Sequence, residues 1–260
     1  KEVTNGNEGA RTGKDPLHGG SLGRTEATGR GIVYFAEAMA KHHGLALAGM
    51  TVAVSGSGNV AEFTARKLIE LGAVVVTLSD RGGYLYKETG FSEDDISDIM
   101  KVKKSGQNLD AVQLHNTKYV TGSLWQTVVA EAYFPCATQN EVSADDARVM
   151  VKSAKLIVEG ANMPLALEAA HVVREAGIPF APGKAANAGG VAVSGLEMAQ
   201  HASHYAWTLE RVDEELRNIM SNIHQLCVEN GQTATGIDYV VGANVAGFKR
   251  VFEAMKKLGW

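Results

Sequence analysis

The sequence predicts an α/β protein built on a doubly wound, mostly parallel sheet with extra C-terminal helices. Three observations carry that expectation. Short apolar runs alternate with helical patterns between residues 51 and 205, as parallel strands and their crossover helices do. The first run, Thr51-Val52-Ala53-Val54, opens into a glycine-rich turn, Ser55-Gly56-Ser57-Gly58-Asn59-Val60-Ala61, ahead of an amphipathic segment. About 20 residues beyond that turn, a second apolar run ends on Ser79-Asp80-Arg81. With 260 residues, 45% of them hydrophobic, the chain has enough length and apolar content to bury a substantial core.

Taken in order, residues 1–23 are polar, glycine-rich and poorly periodic, and read as a linker or arm. Residues 25–43 read as a helix, with Ile32, Phe35, Ala36 and Met39 at helical spacing. The run at 51–54 suits a buried parallel strand. In the turn that follows, Gly56 permits the tight bend and Gly58 lets the backbone approach a phosphate unobstructed. Ala61 is small enough for the helix to pack close to the strand. The helix N-terminus offers unpaired N–H groups and a positive dipole end, so the unit suits a dinucleotide pyrophosphate and is Rossmann-like. Ala61, Ala65, Leu68 and Ile69 give this helix one apolar face, and Gly72 ends it.

Residues 74–78 form the second strand. Residues 91–104 read as a helix capped by Ser92, with Glu93, Asp94 and Asp95 in its first turn. Strands follow at 133–137, 156–159 and 179–181, separated by helices at 144–153 and 165–176. Residues 189–205, 208–230 and 240–258 read as closing helices. The expected division is an arm at 1–23, a Rossmann-like dinucleotide-binding domain at 24–205, and a helical segment packing on it at 206–260.

Several function classes are disfavoured. A formal charge of −4 argues against a general nucleic-acid or anionic-membrane binder. Cys136 and Cys227 are the only cysteines and lack metal-ligand spacing, which suits a reducing, cytoplasmic setting. No apolar run is long enough to span a bilayer, and the N-terminus does not read as a signal peptide. Lys1 is not an initiator methionine, so the chain reads as a piece of something longer. His201 and His204 lie three apart on one helix but have no acidic or cysteine partner, so no metal is expected. His42 and His43 read as a solvated helix end, and Cys136 as a small buried hydrophobe.

At the second strand's end, Asp80 suits ribose hydroxyls and hence NAD, whereas Arg81 suits a 2′-phosphate and hence NADP. The chemistry of the pair leaves that choice open. Three clusters lie at later strand ends: Pro135-Cys136-Ala137-Thr138-Gln139-Asn140, Glu159-Gly160-Ala161-Asn162-Met163-Pro164, and a third from Ala181 to Gly190 containing Lys184 and Asn187. Singly, each is ordinary turn chemistry. Three at successive strand ends favour a ligand site.

These segments also carry a resemblance. Arg24-Thr25-Glu26-Ala27-Thr28-Gly29, Gly56-Ser57-Gly58-Asn59-Val60 and the three clusters occur in order. Ser194-Gly195-Leu196-Glu197-Met198 and Gly242-Ala243-Asn244-Val245-Ala246-Gly247-Phe248 follow. Together they resemble the coenzyme-binding half of hexameric glutamate dehydrogenases, nearest to the bacterial NADP-using type, from about residue 12 onward. The resemblance implies reversible oxidative deamination of L-glutamate to 2-oxoglutarate and ammonia, with hydride passing to the nicotinamide.

By position it implies coenzyme contacts from Thr28, from Ser55, Gly56, Gly58, Asn59 and Val60 of the turn, and from Ala137, Thr138, Asn162 and Asn187. Ser79, Asp80, Arg81 and Lys103 fit the NADP-using relatives, with Lys103 placed to meet the 2′-phosphate. NADP is therefore favoured over NAD. Ser194 is implied as the hydroxyl that binds a substrate carboxylate.

The family's N-terminal substrate domain, with its catalytic lysine and aspartate, has no counterpart here, so no catalytic residue is expected. Lys14 matches the linker and Lys184 the coenzyme domain. The expectation is a domain that binds NADP(H) without turnover, a monomer or weak dimer cut from a homohexameric parent. The alternatives are the corresponding domain of a leucine, phenylalanine or valine dehydrogenase, against which Ser194 argues, and a stand-alone nucleotide-binding module.

Overall fold

The computed structural model describes residues 11–259; residues 1–10 of the expected arm, and Trp260, lie outside the described residues. The strands build a two-faced sheet by simple alternation. In β1 (Thr51–Val54), Val52 and Val54 join the core on one face and Ala53 the core on the other. In β5 (Ala132–Phe134), Ala132 and Phe134 oppose Tyr133; in β6 (Leu156–Val158), Leu156 and Val158 oppose Ile157. All are buried, so both faces require helical cover.

The first face is covered by α1 (Ala27–His42), α2 (Asn59–Glu70), α3 (Glu93–Lys104) and α8 (Leu209–Asn230), which contribute Phe35, Leu68, Ile99 and Met220. The second is covered by α4 (Ala144–Met150) and α5 (Leu167–Glu175), with Met150 and Val173, and by Trp125 from a short 3₁₀ turn.

Among the described residues seven strands form the main sheet, in the order β4 (Lys118–Thr121), β3 (Gly83–Tyr86), β2 (Val74–Ser79), β1, β5, β6, β7 (Phe180–Ala181). Pairings from β2 through β7 are parallel, while β3 and β4 add to β2 antiparallel. The chain leaves β1 for β2 on one side and later returns as β5 on the other. At that reversal the strand ends part and leave a crevice.

The expected strands and helices all occur, with ends shifted by a few residues. The antiparallel β3–β4 extension is additional, as is a small hairpin of β8 (Gln232–Thr233) and β9 (Gly236–Ile237). Helix ends follow local chemistry. Ser92 and Asp95 form a reciprocal capping box on α3, and Ser143 and Asp146 do the same on α4. After α2, Gly72 takes a φ of 81° and the Ala73 N–H reaches the Leu68 carbonyl at 3.0 Å, closing the helix as a Schellman turn.

The remaining α-helices among the described residues are α6 (Gly183–Ala186), α7 (Gly189–Ser203) and α9 (Tyr239–Leu258). α7 begins where α1 crosses it: a Cβ on Gly31 would lie 2.8 Å from the Gly189 Cα, so only backbone meets there. The outer face of α9 leaves Phe248, Val251 and Leu258 exposed.

Two histidines behave differently from the expected solvated helix end. His42 and His43 are exposed, but His43 Nε2 lies 3.1 Å from the Tyr239 hydroxyl, and the His42 ring meets that of buried His224 at 5.8 Å. They border a seam between α1, α8 and α9 that sequence spacing does not reveal.

Candidate functional site

The glycine turn after β1 is fixed from two directions. Gly56 has a φ of 85°, and a Cβ there would sit 3.1 Å from the Ala137 Cα, so both conformation and space require glycine. Its N–H donates to Ser79 Oγ at 2.8 Å, and the Ser79 N–H donates back to its carbonyl at 3.1 Å. That link ties the turn to the end of β2. Gly58 precedes α2 with extended backbone and no side-chain cap, and a Cβ there would meet nothing within 4 Å. The α2 N-terminus therefore opens onto the crevice with its first-turn amides, the arrangement a phosphate needs.

Two carboxylates, Glu141 half-buried and Glu159 buried, shape the neighbouring loops. Glu141 accepts from Ser55 Oγ and the Ala137 N–H, both at 2.9 Å, and from the Thr138 N–H at 3.3 Å. Burial pushes its carboxyl up, against the pull of those three donors. Glu159, likewise raised by burial, accepts from the Gly183 N–H at 2.6 Å and the Leu165 N–H at 3.3 Å. The loops after β5 and β6 are then bound together by a bridge between Val142 and Leu165. Asn140 and Met163 on these loops take left-handed backbone, and the Asn140 N–H donates to the Met163 carbonyl at 3.0 Å.

Along the crevice lie two cavities, of about 790 and about 680 Å³. Thr28, Asn162, Asn187 and Ser194 line the larger. Gly56, Gly58, Asn59, Ser79, Asp80 and Arg81 line the smaller. Val60, Cys136, Ala137 and Thr138 border both, so the two form one elongated track. Of the anticipated residues, Ser55 and Lys103 line neither. Ser55 is fully buried, donating to Glu141 and accepting from the Cys136 N–H at 2.8 Å. Sequence reasoning did not place Thr12, Arg24, Val191 and Met198 on the larger cavity, or the Gly122-Ser123-Leu124-Trp125 stretch on the smaller. Arg24 stands in a segment noted for its pattern, but its partner lies 170 residues away.

At the end of β2 the charges divide their work. Asp80 accepts from the Leu109 N–H at 2.7 Å through one oxygen, and from the Gly82 N–H at 3.0 Å and the Tyr119 hydroxyl at 3.4 Å through the other. Lys103 Nζ stands 3.9 Å from the first of those oxygens. Arg81 is exposed on the cavity wall. The carboxylate is thus engaged by its own loops and faced by a lysine, while a guanidinium borders the open space.

At the far end, Arg24 Nε donates to Ser194 Oγ at 2.8 Å, which places a cation and a hydroxyl side by side. The Asn187 amide donates to Asn162 Oδ1 at 2.7 Å. Lys184 reaches Asn244 Oδ1 at 2.7 Å and lines neither cavity. Cys136 is buried, its thiol pushed well up by desolvation, which leaves it unsuited to act as a nucleophile. Among the described residues no group of three or more His, Cys, Asp or Glu side chains could hold a metal, and no helix is long and apolar enough to cross a membrane.

Comparison with known proteins identifies the family. The family model for glutamate/leucine/phenylalanine/valine dehydrogenases matches residues 19–259. The NADP-specific glutamate dehydrogenase of Salmonella typhimurium is 47% identical over all of this chain and 59% of its own length. The glutamate dehydrogenase of Bacteroides thetaiotaomicron is 48% identical over 96% of the chain and 57% of its own length. The crystal structure of Plasmodium falciparum glutamate dehydrogenase superposes with a TM-score of 0.92 at 40% identity, covering 96% of this chain and 55% of that one. The chain therefore spans just under three-fifths of the length of the curated relatives it matches. With sequence and fold in agreement over nearly its whole length, the chain belongs to the glutamate/leucine/phenylalanine/valine dehydrogenase family.

Proposed function

We propose that this chain is the NADP(H)-binding part of a glutamate dehydrogenase. The observation that carries the reading is the state of Asp80. Both its oxygens accept from neighbouring loops and Lys103 faces it, so it is poorly placed to take ribose hydroxyls. Arg81 on the cavity wall is the group suited to a 2′-phosphate. The uncapped α2 N-terminus and the open space at Gly58 fit a pyrophosphate. The smaller cavity then takes the adenosine half, and the larger the nicotinamide half, with Thr28, Asn162 and Asn187 along its wall.

Bound there, the nicotinamide supplies hydride acceptance from the glutamate α-carbon. The chain's own residues orient and bind. The paired Asn162 and Asn187 amides offer donors and acceptors to a carboxamide or an amino acid. The Ser194 hydroxyl, held by Arg24, suits a side-chain carboxylate, and this favours glutamate over the apolar substrates of the related dehydrogenases. Proton transfer at the amine needs a base within hydrogen-bond reach, and we assign that role to residues outside this chain. Alone, the chain binds coenzyme without turnover and is a monomer or weak dimer, while the whole enzyme is a homohexamer. Two free, buried cysteines suit a reducing cytoplasm.

Calorimetric titration with NADPH and NADH tests the reading. NADPH binding tighter than NADH, with the preference reduced in Lys103→Ala, is expected. Equal affinities, or glutamate turnover by the isolated chain, refute it.

A further inference from the structure

One face of α7 is polar yet buried. Ser194, Glu197 and Gln200 follow at three-residue spacing, and Glu197 has no exposed surface at all. Each of the three binds the arm that precedes α1. Arg24 donates to Ser194. The Gly13 and Lys14 N–H groups donate to the two oxygens of Glu197 at 2.9 and 3.2 Å, and Lys14 Nζ stands 3.4 Å from that carboxylate. Gln200 Nε2 donates to Ser21 Oγ at 2.8 Å, while its Oε1 accepts from the Trp207 N–H at 3.0 Å.

A buried carboxylate is costly unless donors and a counter-charge surround it, and an apolar residue would close the same surface more cheaply. What the carboxylate adds is direction: it selects one register of the arm on the helix. That register puts Thr12 and Arg24 on the wall of the larger cavity beside Ser194.

We propose that Glu197 is a positioning residue, a latch that seats residues 11–24 on α7 and thereby sets Thr12 and the Arg24–Ser194 pair at the cavity. The inference rests on reading that cavity as the nicotinamide and substrate side.

Hydrogen exchange on the ligand-free chain tests the latch directly. Glu197→Gln keeps the side-chain shape but puts an NH₂ donor against an amide donor. At least tenfold faster exchange at Gly13 and Lys14 is expected, with α2 and the strands unchanged. Lys14→Ala, a partly exposed change that spares the fold, should give a smaller increase at the same amides. The second readout is the emission of bound NADPH. In Glu197→Gln it should shift, while affinity for 2′-phospho-ADP, which fills only the adenosine side, stays within twofold. Wild-type exchange at the arm in both variants overturns the proposal, as does a freed arm with unaltered NADPH emission. If the wild-type chain binds no NADPH, the coenzyme reading fails, and the exchange rates alone then decide the latch.

Discussion

Acidification should loosen the seam between α1, α8 and α9 through a single imidazole. His224 on α8 is buried, with Nε2 3.2 Å from the Tyr239 hydroxyl of α9. His43, just past α1, approaches the same hydroxyl at 3.1 Å, and the Phe35 ring stands edge-on to His224 at 5.4 Å. One hydroxyl has one hydrogen, so one imidazole accepts it while the other donates its own N–H.

Burial first, and then the charges of His42 and His43, push His224 down from 6.5 to about 4. A histidine whose folded pKa is depressed stabilises the fold above its unfolded value, and that stability drains away as pH falls from 6.5 towards 4. At about 1.4 kcal/mol per pH unit the whole effect is about 3 kcal/mol, with about 2 kcal/mol gone by pH 5. Glu141 and Glu159 oppose this, because burial raises their carboxyls and favours the fold as they protonate.

Comparison with His224→Leu isolates the histidine. Urea unfolding at pH 7.5 and pH 5 should show the wild type losing about 2 kcal/mol more than the variant. Equal losses in the two proteins would refute the argument.

Three further outcomes are expected. Arg81→Ala should weaken NADPH binding about fivefold, the roughly 1 kcal/mol of an exposed charge-assisted contact, and leave NADH within twofold; an equal loss of both by calorimetry contradicts this role. Gly56→Ala, at a left-handed position 3.1 Å from Ala137, should cost about 1–2 kcal/mol in urea unfolding and weaken coenzyme binding as well. Phe134→Ala removes a fully buried ring between strand and helices and should cost about 3–5 kcal/mol, read as a lowered urea midpoint.

The sheet and its helices were legible because their signals are local. Strand β1 reads as an unbroken apolar run because both its faces are buried, and α3 announces itself through Ser92 and Asp95, three residues apart. Strands β3 and β4 were not, since each has four residues and they meet across a helix and a long loop rather than a tight turn. The site divides in the same way. Gly56 and Gly58 were readable from adjacent residues. The Arg24–Ser194 bond was not, since it joins residues 170 apart. Ser55 illustrates the limit: its place beside two glycines marks it as part of the turn, but only the fold turns its hydroxyl towards Glu141. Likewise, nothing in the sequence near Asp80 indicates that Leu109 will claim one of its oxygens.

Those bonds to Asp80 bear on redesign of the chain. In many dinucleotide folds the acid at this strand end serves to read the ribose hydroxyls. Here it is also a structural pin, since replacing it would release the amides of Gly82 and Leu109 together. Deleting the two nearby cations would remove attraction for a phosphate without turning the carboxylate towards a ribose. If the chain prefers NADPH as proposed, reversing that preference would require rebuilding two loops in concert, so the architecture would guard it as much as charge does.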